Sequence, residues 1–416
     1  MTVRSVGLVA LHSCPLSALG EGKAGGMSAY VLGLGRELAR RGVGVIIVTA
    51  SHEDTHSAEV DCEGVCVVHL PSPAANSASE WVARASQYAG EIQAAVGEGC
   101  DLVHTHYWAS GLAGLEVSRL SGIPHVTTFH TIAAVKEQAS ELSPEPYERH
   151  EAERTIAQRA DGIVAWTRFE ANALVSMLGA ERERIAVAPI GVDTERFRPL
   201  DRAEARSRLD ISADEETLLY VGRLDRIKGA DVLLRAAGFL ADRPRLRVRI
   251  VGGEVDGDFA EGLRTLAADL NIAEKVSWIG TVPNDELPLH YAAADMVIVP
   301  SYSESYSIVA AEAMACGTPV VSSNVPGPAS FIEDGVSGRL VAAGDAPALA
   351  CAVQQLLDDA SLRDRLGSGG LAAARQMTWG ASADSVLGLY ERVAAKCDSG
   401  SRLRGNGGQS GGNDGG

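Results

Sequence analysis

The sequence predicts an α/β protein built from two doubly wound, Rossmann-like parallel-sheet domains that face each other across a cleft. Three observations carry this reading. The chain has 416 residues, too many for one ordinary core and suited to two of similar size. Short apolar runs alternate with helical patterns along most of it, the signature of parallel strands covered on both faces. That alternation breaks once, at GVDTERFRPL (191–200), and then restarts, which marks a hinge. The first domain is therefore placed at residues 1–195 and the second at 196–378.

In the first domain, strands are expected at Val6–Leu11, Val45–Val48, Val65–Leu70, Leu102–His104, His125–Thr128, Gly162–Ala165 and Ile185–Ala188. Helices are expected at Met27–Arg41, 80–97, 145–160 and 168–179. In the second, strands fall at Leu218–Val221, Val248–Val251, Val276–Ile279, Met296–Val299 and Val320–Val321, with helices at 230–240, 259–270, 284–293 and 305–315. A final amphipathic helix is expected near 379–396. Residues 397–416, mostly Gly, Ser and Asn, cannot bury enough surface to order themselves.

Composition narrows the function. A hydrophobic share of 46% with 22% charged residues is that of a soluble globular protein, and no apolar run reaches the roughly 18 residues that span a membrane. The start, MTVRSVGLVALHSCPL, reads as a buried first strand rather than a leader, because turn residues follow at once and no A-x-A-like site does. A net charge of −17 argues against nucleic acid or an anionic membrane surface as partner. Seven scattered cysteines, Cys62 and Cys66 spaced CxxxC among them, read as reduced thiols of a cytoplasmic protein.

Chemistry is expected at strand ends, since ligands of such sheets bind outside the carboxyl edges. Gly25-Gly26 follows the first strand and opens a helix, so backbone can approach a ligand there; a plain tight turn is the other reading. No GxGxxG or GxxxxGK[ST] loop is present, which removes the usual nicotinamide and Walker-type readings. In VGRLDRIKGADVLL, Arg223 and Lys228 stand before a helix start, where cations are disfavoured unless an anion lies among them. Asp225 could be that anion, or a bound diphosphate gripped by both cations. HTHYW (104–108) and TFHT (128–131) both follow strands, so His130 and Thr131 could hydrogen-bond a neutral sugar or simply be packed. Arg149, in EPYERHEAER, sits on a charged helix whose face could be merely solvated. Asp256-Gly257-Asp258 has the look of a metal-binding DxD but follows a strand in the wrong sheet order for that use, so no metal residue is assigned.

VPSYSESYSIVAAEAMACG (299–317) carries two carboxylates, Glu304 and Glu312, eight residues apart. If both were helical they would lie about 80° apart around the axis and ~12 Å along it, a spacing that suits one ligand held at two places. Serines around Glu304 put free backbone N–H groups at a helix start, where anions bind.

Taken together, EGKAGGMSAYV, PIGVDTERF, VGRLDRIKG and SYSESYSIVAAEAMACGTPVV resemble the retaining glycosyltransferases of family 4, over about residues 5 to 395. The resemblance implies the GT-B fold, with the last helix crossing back to brace the first domain. It implies that Arg223 and Lys228 bind a donor diphosphate, with Gly25 and Gly26 nearby, and that Ser305, Tyr306 and Ser307 present N–H groups to the phosphates. Glu304 and His130 would contact the transferred sugar and Glu312 the ribose, which makes His130, Arg223, Lys228 and Glu304 the catalytic set. HTHYWASG, FHTIAAVK and the AGGM loop are similar to the branch that joins N-acetylglucosamine to inositol 3-phosphate, where residues matching Tyr107, Thr131 and Arg149 hold the acceptor phosphate. Sucrose-phosphate synthases are similar as well. This chain departs from the inositol branch at Ser28, where that branch has an acceptor-facing Asn. It also departs in having no lysine between Ala24 and Val135, and almost no basic residue in the 80–97 helix.

The implied function is retaining transfer of a hexosyl group from a UDP- or GDP-sugar co-substrate to a small polar acceptor such as an inositol phosphate. No prosthetic group is implied, and divalent-metal dependence and a homodimer are left open. A sucrose-phosphate-synthase-like enzyme and a GDP-mannose-dependent mannosyltransferase share the donor logic. A GT-B-fold sugar-nucleotide epimerase is the alternative from another class.

Overall fold

The computed structural model describes residues 2–16, 25–51, 58–60, 63–139, 144–253 and 257–405. Eight strands form the first sheet: β1 (Ser5–Val9), β2 (Gly44–Ser51), β3 (Ala58–Val60), β4 (Cys66–Pro73), β5 (Leu102–His106), β6 (His125–Thr128), β7 (Gly162–Ala165) and β8 (Ile185–Val187). Their order is β3-β4-β2-β1-β5-β6-β7-β8, with only the β3/β4 ladder antiparallel. Six strands form the second: β9 (Glu216–Val221), β10 (Leu246–Val251), β11 (Val276–Gly280), β12 (Met296–Val299), β13 (Val320–Ser323) and β14 (Arg339–Val341), in the order β11-β10-β9-β12-β13-β14. Continuous apolar strands such as Gly162–Ala165 and Met296–Val299 are buried along their whole length, as parallel strands covered on both faces must be.

This topology decides where ligands can go. In the first sheet the chain winds outward from β1 through β2 and β4, then returns beside β1 with β5 and winds the other way. In the second it winds outward from β9, then returns beside it with β12. Each sheet thus has one switch point, between β1 and β5 and between β9 and β12, where the loops part and leave a crevice.

The C-terminal helix, Trp379–Gly405, packs on the first domain: Tyr390 and Val393 are buried with Val126 and Val164 in one core, and Tyr390 Oη lies 2.7 Å from His104 Nδ1. Arg41 bonds Asp384 and the Gly380 carbonyl. The chain crosses between domains at two adjacent places, joined by a Val192–Thr378 bridge.

Several expectations shift. The 80–97 helix is two helices, Ala78–Ala83 and Ala85–Val96, the first capped by the Ser77 hydroxyl. Strands β3 and β14 have three residues each, too few for an alternation to register, and helices at Arg202–Arg208, Ala346–Asp358 and Ala360–Ala374 were not anticipated. The last helix runs on to Gly405, into the segment expected to be unordered, because extending a helix already anchored by packing adds one hydrogen bond per residue without a new nucleus. Residues 406–416, Lys23, Cys62 and Asp256 lie outside the described residues. The described cysteines are all free. Among the described residues no helix is long and apolar enough to cross a membrane, and no group of three His, Cys, Asp or Glu is set to hold a metal ion.

Candidate active site

A cleft of about 710 Å³ opens between the two switch points. Gly25 and Gly26 reach it from the segment after β1, Tyr107 from the end of β5, and His130 and Thr131 from the end of β6. From the other domain come Arg223 and Lys228 after β9, and Glu304, Ser305, Tyr306 and Ser307 after β12. Arg149, on the Tyr147–Arg159 helix, and Glu312, on the Ile308–Ala315 helix, complete the set, so every residue assigned to the site from sequence lines one cleft. Among the described residues five non-glycine positions have positive φ, and three of them are here: Tyr107 (75°), His130 (63°) and Ser307 (86°). Such backbone is strained for a side-chain-bearing residue and persists where its surroundings over-determine it, commonly at functional sites.

On the second domain's side, Lys228 Nζ lies 2.8 Å from Glu304 Oε1, which also accepts from Ser301 Oγ at 3.0 Å. Arg223 Nη2 is 3.0 Å from Asp225 Oδ2 and about half exposed, at 49%. The counter-ion read from the sequence is therefore in place, on a half-exposed arginine. Lys228 is held by the turn after it. Gly229 has φ 71°, and a Cβ there would sit 2.1 Å from the Pro300 carbonyl oxygen, so only glycine fits.

Glu304 is not helical, which corrects the geometry expected for the glutamate pair. The helix starts at Ile308 because Ser307, at positive φ, breaks the run and caps it. Glu304 instead lies in a loop pinned across the domain: the Gly327 N–H donates to the Glu304 carbonyl at 3.0 Å, and a Cβ at 327 would come within 2.7 Å of the Tyr306 nitrogen. Tyr306 turns its ring inward, and its hydroxyl donates to the Ile190 carbonyl in the segment between the two sheets. Only its backbone can meet a ligand. Glu312 is buried beneath the loop; burial pushes its pKa up to about 8, while the Tyr291 hydroxyl, donating to Oε2 at 2.8 Å, opposes this.

The first domain's side is built differently. Arg149, only 3% exposed, has a partner for each of its five N–H groups. Nε donates to Glu153 at 2.7 Å, Nη1 to Glu145 at 2.9 Å and the Tyr107 hydroxyl at 3.1 Å, and Nη2 to the Thr131 carbonyl and hydroxyl at 3.0 and 2.8 Å. The three residues expected to hold an acceptor are thus one network, with the guanidinium also 4.9 Å from the Tyr107 ring centroid. Burial raises the Glu153 pKa against the pull of Arg149.

Sequence reading missed several lining residues. Lys136, on the Ala133–Ala139 helix, reaches the first-domain side and pairs with Glu145 at 2.5 Å; it lies just past the long lysine-free interval. Gly252-Gly253 and Trp166 also line the cleft, and the double glycine directly after β10 was a legible signal.

Family comparison accords with this geometry. Residues 24–196 match the model described as Glycosyltransferase Family 4 and 201–372 that described as Glycosyl transferases group 1. The chain is 38% identical over 404 residues to the D-inositol 3-phosphate glycosyltransferase of Stackebrandtia nassauensis, covering 93% of this chain and 91% of that one. This chain belongs to the family 4, group 1 glycosyltransferases. It is 39% identical over 419 residues to the enzyme of the same name from Acidothermus cellulolyticus, covering 95% and 92%. Among solved structures it is similar to the sucrose-phosphate synthase of Thermosynechococcus elongatus, with a TM-score of 0.86 and 29% identity over 94% of this chain and 100% of that one. An Anabaena protein solved with UDP and glucose shares the fold, with a TM-score of 0.70 at 20% identity, covering 95% of this chain and all of that one. The two Rossmann-like domains are those of the GT-B glycosyltransferases.

Proposed function

We propose that this glycosyltransferase moves a hexosyl group, with retention of anomeric configuration, from a UDP-linked sugar to a small polar acceptor of the inositol-phosphate kind. The observation that carries the reading is the division of one cleft. Lys228 and Arg223, each held by a single carboxylate, stand on one wall, and the Arg149–Tyr107–Thr131 network stands on the other. Donor and acceptor then arrive from opposite domains.

Each carboxylate among the described lining residues has a partner: Asp225 on Arg223, Glu304 on Lys228 and Glu312 on Tyr291. None of the three is assigned the role of a covalent nucleophile of the retaining-glycosidase kind. In the reading favoured here, the acceptor hydroxyl attacks C1 on the face the diphosphate leaves. The C1–O bond to the diphosphate breaks, the C1–O bond to the acceptor forms, and the hydroxyl proton passes to a departing phosphate oxygen. Arg223, Lys228 and the amino end of the Ile308–Ala315 helix stabilise the negative charge that develops. Glu304 orients the sugar hydroxyls, Glu312 the ribose, and the N–H groups of Ser305, Tyr306 and Ser307 meet the phosphates beside Gly25 and Gly26. Thr131 and Tyr107 turn their hydroxyls to the acceptor.

Thermal-shift titration with UDP-, GDP- and ADP-sugars, followed by an acceptor screen and NMR of the product anomer, tests this. Stabilisation by UDP-sugars and an axial-for-axial product are expected. Failure of every nucleotide sugar to stabilise the protein, or an inverted product, overturns it. An epimer formed from UDP-sugar without acceptor would indicate the epimerase reading instead.

A further inference from the structure

A second, smaller chamber opens beside the cleft, and the transfer chemistry described above makes no use of it. It measures about 200 Å³, less than a third of the cleft's 710 Å³. Five residues line both spaces: Ile132 and Val135 from the first domain, and Ser303, Glu304 and Ser305 from the second. Thr167, Phe169 and Glu170, at the start of the Arg168–Leu178 helix, line only the chamber, as does Pro326.

Glu170 is there because of how that helix begins. Thr167 and Glu170 form a capping box: Thr167 Oγ1 accepts from the Glu170 N–H at 3.0 Å, and Glu170 Oε2 accepts from the Trp166 N–H at 2.7 Å. The cap needs one side-chain oxygen and no charge, so a glutamine would serve it equally. Glu170 is only 6% exposed, and its Oε1 has no hydrogen-bond partner among the described residues. A buried carboxylate oxygen left in that state costs stability that the cap does not require. Burial accordingly pushes the Glu170 pKa up to about 7, with the Trp166 N–H opposing the rise.

The chemistry of the chamber restricts what can meet that oxygen. Among its described lining residues there is no Lys, Arg or His, and two are glutamates, so phosphate and carboxylate groups are disfavoured. Ile132, Val135, Phe169 and Pro326 supply apolar walls beside the few polar groups. The part of a ligand that fits is neutral, with C–H surface for the walls and a polar atom for Glu170. A hydroxyl suits either protonation state, since it donates to a carboxylate and accepts from a carboxylic acid. Position decides which substrate carries it. Glu304 stands on the boundary of the chamber, whereas Tyr107, Thr131 and Arg149 line the cleft alone.

We propose that this chamber is a subsite for the transferred hexosyl group, in which Glu170 binds one sugar hydroxyl through Oε1. The proposal rests on the reading of Glu304 as a sugar contact. It adds a specificity-determining residue from the first domain, so the sugar is held from both walls, and it disfavours a sugar with a carboxylate at that position.

The test is calorimetry above about pH 8, where Glu170 is ionised, on the full chain and its Glu170→Met variant. The probes are UDP, UDP-glucose and UDP-glucoses that each lack a single hydroxyl. In the wild type, one of these deoxy sugars should bind about 10- to 100-fold more weakly than UDP-glucose because its hydroxyl met Glu170. Glu170→Met should weaken UDP-glucose by a similar factor, leave UDP unchanged, and bind that same deoxy sugar no worse than UDP-glucose. A purely structural role would instead weaken every sugar alike. An equal loss for UDP, or the same deoxy-sugar pattern in both proteins, overturns the proposal. So does a rise in acceptor KM with UDP-glucose affinity unchanged, which would put the acceptor in the chamber. Should Glu170→Met fail to fold, Glu170→Gln keeps the cap and carries the same comparison: deleting the matching hydroxyl should then cost less than in the wild type, and an equal cost overturns the subsite. A wild type that binds no nucleotide sugar fails the functional reading itself; a wild type that binds while both variants behave identically to it fails only the subsite.

Discussion

The two walls of the cleft hold their cations in opposite ways. On the second domain's wall Lys228 and Arg223 are 27% and 49% exposed and each leans on a single carboxylate. On the first domain's wall Arg149 is almost inaccessible and spends all five donors on its own protein. A loosely paired, part-exposed cation can exchange its partner for a phosphate at small cost, whereas a buried and fully satisfied one cannot let go without stranding its carboxylates. The first wall is thus pre-built to present the Tyr107 and Thr131 hydroxyls, whose oxygens accept from Arg149 and whose protons remain to be donated. The second leaves its cations part-exposed on single carboxylates.

Substitutions can break that contrast. The largest expected effect is on folding: Arg149→Ala should destabilise the protein by ~3–5 kcal/mol, because Glu153 is left buried without its counter-ion. Chemical denaturation measures it, and a loss near zero would mean the network is not structural. Arg149→Lys should recover only part, since an ammonium cannot reproduce the planar fork. Next, Lys228→Ala should lower kcat by about 10²- to 10³-fold, equivalent to ~2.7–4 kcal/mol, with the fold intact. Calorimetry should record a far greater loss of affinity for the nucleoside diphosphate than for the nucleoside; equal losses would contradict a diphosphate contact.

Glu312 sharpens the comparison from within the second domain, because it is a buried acid there that a ligand is expected to meet. Its folded pKa of about 8 lies above the ordinary value of 4.5, so the native state keeps a proton that the unfolded chain has released. Its contribution to stability is fully present below pH 4.5 and is lost as pH rises toward 8, at about 1.4 kcal/mol per pH unit for one group. Subtracting the stability profile of Glu312→Gln from that of the wild type isolates this slope, and a flat difference would show that Glu312 is solvated. The smallest effect belongs to Arg223→Ala, which should change stability by no more than ~0.5 kcal/mol while impairing turnover. A large loss of stability would erase the distinction between the walls.

Local signals made most of the fold legible. Apolar runs at Met296–Val299 and Gly162–Ala165 coincide with β12 and β7, since a strand buried on both faces leaves an uninterrupted hydrophobic stretch. The Ala360–Ala374 helix escaped notice because Gly367, Gly369 and Gly370 dilute its pattern, and packing overrides propensity there. The second domain's wall was readable because its residues sit in short contiguous segments, VGRLDRIKG and SYSESYS. Lys136 was not, because it reaches the cleft from a short helix outside those segments.

By itself, then, the sequence determined two parallel sheets, the break in pattern between them, and which residue types gather at the strand ends. Those follow from hydrophobic periodicity and backbone punctuation, which are local. Only the tertiary structure decided that Glu304 leaves the helix and that Arg149 is closed within its own network. Each depends on a partner distant in sequence: Gly327 for Glu304 and Tyr107 for Arg149. No local pattern records such contacts, because they exist only once the sheets have brought separate strand ends together.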